Sequence, residues 1–189
     1  MIKAIIFDCF GVIISDALEA IVAEFRYEQP EIARRIVEAV TAASKGLITR
    51  EESTKRVAAL LRITPEQYVD KIKNGEVKNQ QLLDCIAVLR KDYKTALLSN
   101  ISPGGLLVRF SPDELAQYFD TIVASGDIGY AKPEPQAYEI TAARLGVRLD
   151  ECVFIDDRQE YCDGAMGVGM QALQYQSFEQ VSNYLNHLI

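Results

Sequence analysis

Five short apolar segments recur along the chain, and each has the length and β-branched content of a buried strand. Within them, apolar residues run consecutively instead of alternating with polar ones, which is typical of a parallel sheet covered on both faces. The segments are residues 3–8 (KAIIFD), 95–100 (TALLSN), 121–126 (TIVASG), 152–157 (CVFIDD) and 170–175 (MQALQY).

Amphipathic helices are predicted between the later strands. Leucine and isoleucine recur on one helix face over residues 82–89. The helical pattern of residues 135–146 ends at Gly146, a residue type common just after a helix. Ser111 followed by Pro112 is typical of a helix N-terminus. Strands that alternate with helices predict an α/β fold with a doubly wound parallel sheet and right-handed crossovers.

Residues 15–80 interrupt this alternation, because they contain no buried-strand pattern and start helices repeatedly. The helix-start signals are Pro30, Thr49 with Glu52, and Thr64 with Gln67. An interval of about 65 residues is too long for an ordinary crossover. We therefore predict a small helical subdomain at 15–80, with 1–14 and 81–189 forming the core. Residues 73–76 (KNGE) predict a turn near its exit.

The composition indicates which kinds of partner the protein can bind and in which compartment it is expected. A net charge of −7 argues against nucleic acid, because phosphate backbones are bound by clustered Lys and Arg. Neither a signal peptide nor a membrane span is expected, since the first apolar run is short and carries Asp8. The four cysteines lack metal-binding spacing, which indicates reduced thiols in a cytoplasmic protein. Cys9 is expected to pack in the core, facing away from Asp8.

Polar groups follow four of the predicted strands. Carboxyl ends of parallel strands meet at one edge of an α/β sheet, where binding sites form beside the point at which strand order reverses. A shared site explains four such groups better than four separate turns do. In chain order the groups are Asp8, Ser99 with Asn100, Lys132, and Asp156 with Asp157.

These residue types predict a metal-assisted reaction. Three crowded carboxylates repel one another unless a cation or a shared proton intervenes. Oxygen ligands suit Mg²⁺, which takes one or two carboxylates together with waters and substrate oxygens. In such a site Asp8 is a candidate nucleophile and Ser99 a candidate donor to anionic oxygens. Lys132 is placed to neutralise Asp8 and the charge that develops in the transition state.

At these residues the sequence resembles the haloacid dehalogenase-like hydrolase superfamily, and the resemblance covers the whole chain. The four matching motifs contain Asp8 in FDCFGV, Ser99 in LLSN, Lys132 in AKPEPQAY, and Asp156 with Asp157 in FIDDRQ. The resemblance implies a Rossmann-like core with strand order 5-4-1-2-3, which sets Asp8 beside Asp157. It also implies that residues 15–80 are a helical cap of the C1 type, which closes over the site and selects small molecules.

The resemblance further implies a role for each site residue. Asp8 would form a covalent aspartyl intermediate and ligate Mg²⁺ together with Asp157, with Asp156 (directly or through water) and with the backbone carbonyl of Phe10. Ser99 would hydrogen-bond the phosphoryl group, and Asn100 and Phe10 would lie near the substrate. The predicted partner is a small phosphorylated molecule, and no pattern in the sequence specifies an oligomeric state.

Phe10 departs from the family's phosphatase pattern, in which a second Asp follows the nucleophile by two residues. That Asp protonates the leaving group and later activates water, and phenylalanine does neither. General acid–base catalysis is worth about 10²–10⁴ in rate. A phosphatase with Phe10 is therefore expected to be slow on alkyl phosphates, unless a water held by Glu160, Tyr161 or a cap residue replaces the acid.

Phe10 leaves three rival interpretations open. A 2-haloacid dehalogenase tolerates an aromatic residue there, but that branch uses no metal and lacks the Asp156-Asp157 pair. Its cap arginines would have to come from Arg26, Arg34 or Arg35. A phosphonatase needs a cap lysine, whereas Lys45 and Lys55 are expected to be exposed helix charges. A non-catalytic binding protein with this fold is the third.

Several other polar residues receive less specific predictions. Tyr161 is expected to be a packing residue, although many relatives carry Asn at this position. Arg158 and Glu160 are expected on a solvated helix face. His187, the single histidine, is expected at the surface.

Overall fold

The computed structural model describes the backbone of residues 1–188 and the side chains of residues 1–186. All five predicted strands form one parallel sheet with the order β3-β2-β1-β4-β5, which is the predicted 5-4-1-2-3 read in reverse. The strands are β1 (Ala4–Phe7), β2 (Lys94–Ser99), β3 (Thr121–Ala124), β4 (Cys152–Asp156) and β5 (Gln171–Gln174). The predicted α/β class and strand order are confirmed, while the side chain of His187 lies outside the described residues.

The helices connect these strands and follow the last of them. They are α1 (Ala17–Phe25), α2 (Pro30–Ser44), α3 (Arg50–Leu61), α4 (Pro65–Gly75), α5 (Gln80–Leu89), α6 (Pro112–Tyr118), α7 (Ser125–Ile128), α8 (Pro135–Leu145), α9 (Gln159–Gly167) and α10 (Phe178–Leu188). Thr49, Thr64 and Ser111 each cap a helix by accepting a backbone N–H, as predicted. Gly146 ends α8 in the left-handed conformation, with a φ of +68°.

The predicted turn at residues 73–76 is wrong, because α4 continues through Gly75 and the chain leaves the helix at Glu76. The glycine here serves packing. A Cβ on Gly75 would lie 2.8 Å from the Cβ of Ala17, so only glycine lets α4 approach α1 this closely.

The sheet buries apolar side chains on both faces. Ile5 and Phe7 face one apolar cluster, whereas Ala4 and Ile6 face the other. This alternation follows from the period of two in a β-strand, and it explains why β1 is apolar throughout. The strand fixes the position of the polar residue that follows it, Asp8.

Helices α1 to α4 enclose an apolar cluster of their own, built around Ile36, Val57 and Tyr68. The two chain segments that join this helical insert to the sheet run side by side. The Ser15 N–H donates to the Val77 carbonyl over 3.0 Å, and the Val77 N–H donates to Ser15 Oγ over 2.8 Å. Within the described chain, no helix has both the length and the apolar character needed to cross a bilayer.

Candidate active site

Three carboxylates meet at the carboxyl edge of the sheet. Asp8 follows β1, Asp156 ends β4, and Asp157 is the next residue. Because β1 and β4 are neighbours, one oxygen from each of the three lies within 4.8 Å of the others. The sequence predicted this grouping, and its hard oxygen ligands suit Mg²⁺.

Lys132 is buried against two of these carboxylates. Its Nζ donates to Asp8 and, over 2.6 Å, to Asp156. Asn100 holds the lysine in place, because its amide accepts from the Lys132 N–H over 2.8 Å and donates to the Lys132 carbonyl over 2.9 Å. Asn100, which was predicted to lie near the substrate, lines the cavity. Its side-chain oxygen and nitrogen are both already hydrogen-bonded to the backbone of Lys132.

Burial governs the electrostatics of the acidic cluster. It raises the pKa of Asp8 to about 7, although Lys132 opposes the shift. Burial, followed by the charges of Asp156 and Asp16, raises the pKa of Asp157 to about 6. Burial disfavours the charged form of Lys132, yet Asp8 and Asp156 raise its pKa overall. One ammonium does not balance three carboxylates, so the cluster favours a further cation.

Ser99 carries a buried hydroxyl that lacks a partner. It is the one described residue with a fully buried side-chain oxygen or nitrogen that makes no hydrogen bond. An unpaired buried polar group costs about 1–3 kcal/mol. Its place at the end of β2, next to the strand that carries Asp8, suits a donor to a bound anion.

Gly11 makes room for Asp157, a role that the sequence analysis missed. The residue has a φ of +86°, and a Cβ there would lie 2.5 Å from the carboxyl carbon of Asp157. Both the backbone conformation and the close approach require glycine. The segment that follows β1 and the segment that follows β4 are therefore packed directly against each other.

Replacing Gly11 with Ala is expected to destabilise the protein by about 2–4 kcal/mol, from left-handed strain of about 1–2 kcal/mol plus the clash with Asp157. Gly104→Ala is the matched control, because Gly104 has a φ of +68° and a Cβ there would meet nothing within 4 Å. Thermal unfolding should show a clearly larger loss for Gly11→Ala. Equal losses would show that the contact with Asp157 contributes nothing.

Phe10 lies beside a charged pair that the sequence analysis did not single out. The guanidinium of Arg109 lies 4.9 Å from the centroid of the Phe10 ring. Arg109 Nε donates to Glu76 over 2.9 Å. Because 33 residues separate these two partners, no local pattern could have revealed their contact.

A cavity of about 450 Å³ opens between the sheet edge and the helical insert. Its walls combine the acidic cluster with apolar side chains and cations of the insert. From the core it is lined by residues that include Asp8, Phe10, Asn100, Arg109, Lys132, Asp157, Arg158 and Tyr161, and from the insert by residues that include Leu18, Val22, Val40, Lys45, Arg50, Tyr68 and Glu76.

Arg158 is exposed and Tyr161 packs against an apolar cluster of the sheet, as predicted, and both residues also line the cavity. The Tyr161 ring lies 5.1 Å from the Lys132 ammonium, and the Arg158 guanidinium lies 5.3 Å from the same ring. Arg158 Nη1 also donates to the Tyr161 hydroxyl over 3.0 Å. Glu160 is exposed, as predicted, although it borders the cavity.

Lys45 does not match its predicted position as an exposed helix charge. It lines the cavity and forms a 2.9 Å ion pair with Glu134 of the core. Lys55 is exposed and paired with Glu51, as predicted. The Ser44 carbonyl at the end of α2 accepts from the hydroxyl of Ser125, the first residue of α7, over 2.6 Å, so the residue before Lys45 is bonded to the core.

The three arginines of the dehalogenase interpretation are not among the described residues that line the cavity, although the partner of Arg26, Glu19, does line it. Arg26 pairs with Glu19, and Arg34 pairs with its helix neighbours. Arg35 lines a separate groove between α2 and α3. The insert arginine that does line the cavity is Arg50.

The fold and this cluster define a hydrolase of the haloacid dehalogenase type, and comparison with known proteins supports that class. The model of the haloacid dehalogenase-like hydrolase family matches residues 2–168. The chain belongs to this family.

Two curated relatives carry phosphatase names. D-ribitol-5-phosphate phosphatase of Bacteroides thetaiotaomicron is 25% identical and aligns over 92% of each chain. Phosphatase MT3486 of Mycobacterium tuberculosis is 36% identical over 87 residues, which is 44% of this chain and 39% of that protein. The present chain thus spans less than half of the second relative.

Solved structures share the fold. A HAD family enzyme from Bacteroides thetaiotaomicron, in complex with magnesium and inorganic phosphate, has a TM-score of 0.74 at 22% identity, covering 96% of this chain and 99% of that one. L-2-haloacid dehalogenase from Xanthobacter autotrophicus has a TM-score of 0.67 at 23% identity, covering 98% and 82%. At these identities the likeness shows the fold alone.

Proposed function

We propose that this protein is a cytoplasmic, Mg²⁺-dependent phosphohydrolase that acts on a small phosphorylated compound. The observation that carries the proposal is the cluster of Asp8, Asp156 and Asp157, two of which pair with the buried Lys132, at the edge of a cavity. The phosphatase names of two relatives point the same way. The four free cysteines accord with a reducing compartment.

Mg²⁺ fits the donors that this edge of the sheet offers. We propose that Asp8, Asp157 and the backbone carbonyl of Phe10 hold it directly. Both oxygens of Asp156 already accept hydrogen bonds, one from Lys132 and one from the Arg158 N–H. We therefore propose that Asp156 acts through water. When bound, the ion would neutralise the phosphoryl oxygens and the carboxylates that approach them.

The remaining catalytic roles are assigned to side chains of this protein. In our proposal a carboxylate oxygen of Asp8 attacks phosphorus and forms an aspartyl phosphate. Lys132 offsets the negative charge of Asp8 and of the phosphoryl oxygens, and Asn100 holds the lysine in position. The free hydroxyl of Ser99 would donate to a phosphoryl oxygen and so gain the partner that it lacks.

The helical insert at residues 15–80 is proposed to act as the cap that surrounds the rest of the substrate. It contacts the core on two sides of the cavity. On one side the Ser44 carbonyl accepts from the Ser125 hydroxyl over 2.6 Å. On the other, Glu76 pairs with Arg109. Apolar side chains form much of the wall between these contacts, which suits a substrate with an apolar part.

A dehalogenase is the second candidate, and Phe10 is the observation that favours it. A halide leaves without a proton, so the missing acid costs such a reaction nothing. Against it, the carboxylates of Asp156, which is buried, and Asp157, which is half-buried, would surround a carboxylate substrate with negative charge. We accordingly rank phosphate transfer first, and a non-catalytic binding role remains the third candidate.

Phosphate release from a panel that includes alkyl and aryl phosphates is expected to require Mg²⁺ and to disappear with EDTA. Activity should be higher on aryl phosphates, because Phe10 supplies no acid for a poor leaving group. Chloride release from 2-haloacids in EDTA would instead establish the dehalogenase. If neither reaction occurs and calorimetry detects no Mg²⁺ binding, the non-catalytic candidate replaces the proposal.

A further inference from the structure

The guanidinium of Arg109 is held next to Phe10, which stands at the position where the family's phosphatases carry a second Asp. The guanidinium of Arg109 lies over the Phe10 ring, and both residues line the cavity that contains Asp8. The Arg109 side chain is only 15% exposed. A cation on an aromatic face is held by the electrons of the ring, and the attraction strengthens as water is excluded. The Phe10 ring thus holds the positive charge of Arg109 by a cation–π contact.

The insert fixes the orientation of this guanidinium. Arg109 Nε and Nη2 both donate to the same oxygen of Glu76, the residue that follows α4. Arg109 Nη1 donates to the Gly105 carbonyl over 2.9 Å. Glu76 is only 11% exposed, so little water competes for the pair. These contacts use three of the five N–H donors of an arginine.

Two N–H groups of Arg109 therefore have no protein partner among the described residues. One belongs to each terminal nitrogen, since each of these makes one of the bonds above. The other core cations at the cavity are placed differently. Lys132 is bonded to Asp8 and Asp156, and Arg158 stacks on Tyr161. Arg109 is the core cation that is both fixed beside Phe10 and able to donate further.

We propose that Arg109 stabilises the departing oxygen of the substrate, in place of the missing acid. This inference rests on the proposed phosphatase function. Attack by Asp8 forms a new P–O bond while the opposite P–O bond breaks, and the leaving oxygen keeps the electron pair. In-line displacement puts that oxygen on the side of phosphorus away from Asp8. In our proposal this side faces the insert, whose residues line the cavity together with Asp8 and Arg109. A guanidinium gives up no proton, so the oxygen leaves as an anion and takes its proton from water afterwards.

This arrangement selects a substrate class. A leaving group that departs as an anion must be fairly acidic as its free alcohol, which describes phenols and enols better than alkyl alcohols. The apolar side chains around the cavity, among them Val22, Val40 and Tyr68, suit the body of an aryl or enol phosphate. The inferred substrates are phosphate monoesters of this kind.

The contact with Glu76 also fits a simpler role, in which the ion pair merely fastens the insert to the core. The two roles differ in one measurable respect. If the ion pair only attaches the insert to the core, replacing Arg109 should lower the rate for every substrate by the same factor. Stabilisation of the leaving oxygen matters more as the leaving group becomes less acidic, so its loss steepens the dependence of rate on leaving-group pKa.

The test compares kcat/KM for Arg109→Gln and wild type on a series of aryl phosphates of decreasing phenol acidity, because kcat/KM reports departure of the phenol even where hydrolysis of the aspartyl phosphate limits turnover. Loss of one preorganised donor costs about 10²–10³ in rate when the charge is fully developed. We expect a loss of that order for the least acidic phenol and little loss for 4-nitrophenyl phosphate. Arg35→Gln is the matched control, because Arg35 lies in the groove between α2 and α3. It should leave the slope unchanged.

A binding measurement tests the same assignment without turnover. We expect 4-nitrophenolate, followed by its absorbance, to bind the wild-type protein about tenfold more tightly than Arg109→Gln. Equal rate losses for all substrates, with unchanged phenolate binding, would assign Arg109 to fastening alone. If the wild type hydrolyses no phosphate ester, the proposed function fails, and the phenolate titration still decides whether Arg109 binds an oxyanion.

Discussion

Asp8→Asn is expected to reduce Mg²⁺-dependent phosphate release by about 10³-fold or more, the scale seen when a covalent nucleophile is removed. An amide does not form the aspartyl phosphate, and its oxygen is a weaker metal ligand than a carboxylate. The measurement is phosphate release from 4-nitrophenyl phosphate with a preparation purified in parallel with wild type. Residual activity within tenfold of wild type would exclude Asp8 as the nucleophile.

The same substitution should leave the protein folded, which separates the chemical effect from a structural one. Lys132 keeps Asp156 as its partner, and the buried cluster loses one negative charge. Burial raises the pKa of Asp8 to about 7 in the folded state, above its ordinary value of 3.8. The folded state thus holds that proton more tightly, and wild-type stability without metal should fall as pH rises from about 4 to 7. Thermal unfolding at pH 8 should show Asp8→Asn at least as stable as wild type.

Phe10→Asp is expected to raise Mg²⁺-dependent turnover of phosphate monoesters by as much as about 10²–10⁴, the usual worth of general acid–base catalysis, with the larger gain on aryl phosphates, whose phenols leave without a proton. The introduced carboxylate would lie beside Arg109, which stabilises its ionised form. It should therefore serve the hydrolysis of the aspartyl phosphate more than the protonation of the leaving group. Wild type is expected to show a burst of phenol release that Phe10→Asp removes, measured by stopped-flow absorbance.

Two companion variants make this result interpretable. Phe10→Asn removes the ring without adding a titratable group, so it reports the cost of losing the packing around Phe10. The double variant Phe10→Asp with Arg109→Gln frees the carboxylate from the cation and should give the larger gain on alkyl phosphates. If Phe10→Asp is well folded but no faster than Phe10→Asn on the whole phosphate panel, the missing acid is not what limits this enzyme.

The core of the site was predictable because each residue stands at the end of a local pattern. Asp8, Ser99 and Asp157 follow apolar strands, and parallel strands bring their carboxyl ends to one edge. Lys132 was identified through its motif, and the structure supplied its bonds to Asp8 and Asp156. The apolar runs predict which strands are buried, and the strand ends then determine where Asp8, Ser99 and Asp157 lie.

The neighbours of these residues were decided by tertiary structure. Lys45 meets Glu134 across 89 positions of chain, and Glu76 meets Arg109 only because the insert folds back onto the core. Gly11 carries no signal of the Asp157 carboxylate that it accommodates. Such contacts depend on how two separately packed units are placed together, and periodicity within either unit contains no information about that placement.

Phe10 illustrates the division most clearly. The sequence determined that an acid is absent two residues after Asp8, since the identity of a side chain needs no fold to be known. The sequence could not determine which side chain lies beside Phe10. Arg109 comes from the loop after β2 and is held next to Phe10 by Glu76 of the insert. Local patterns fix the strands and the residues at their ends, whereas the charges around a bound substrate depend on side chains that meet only after the chain has folded.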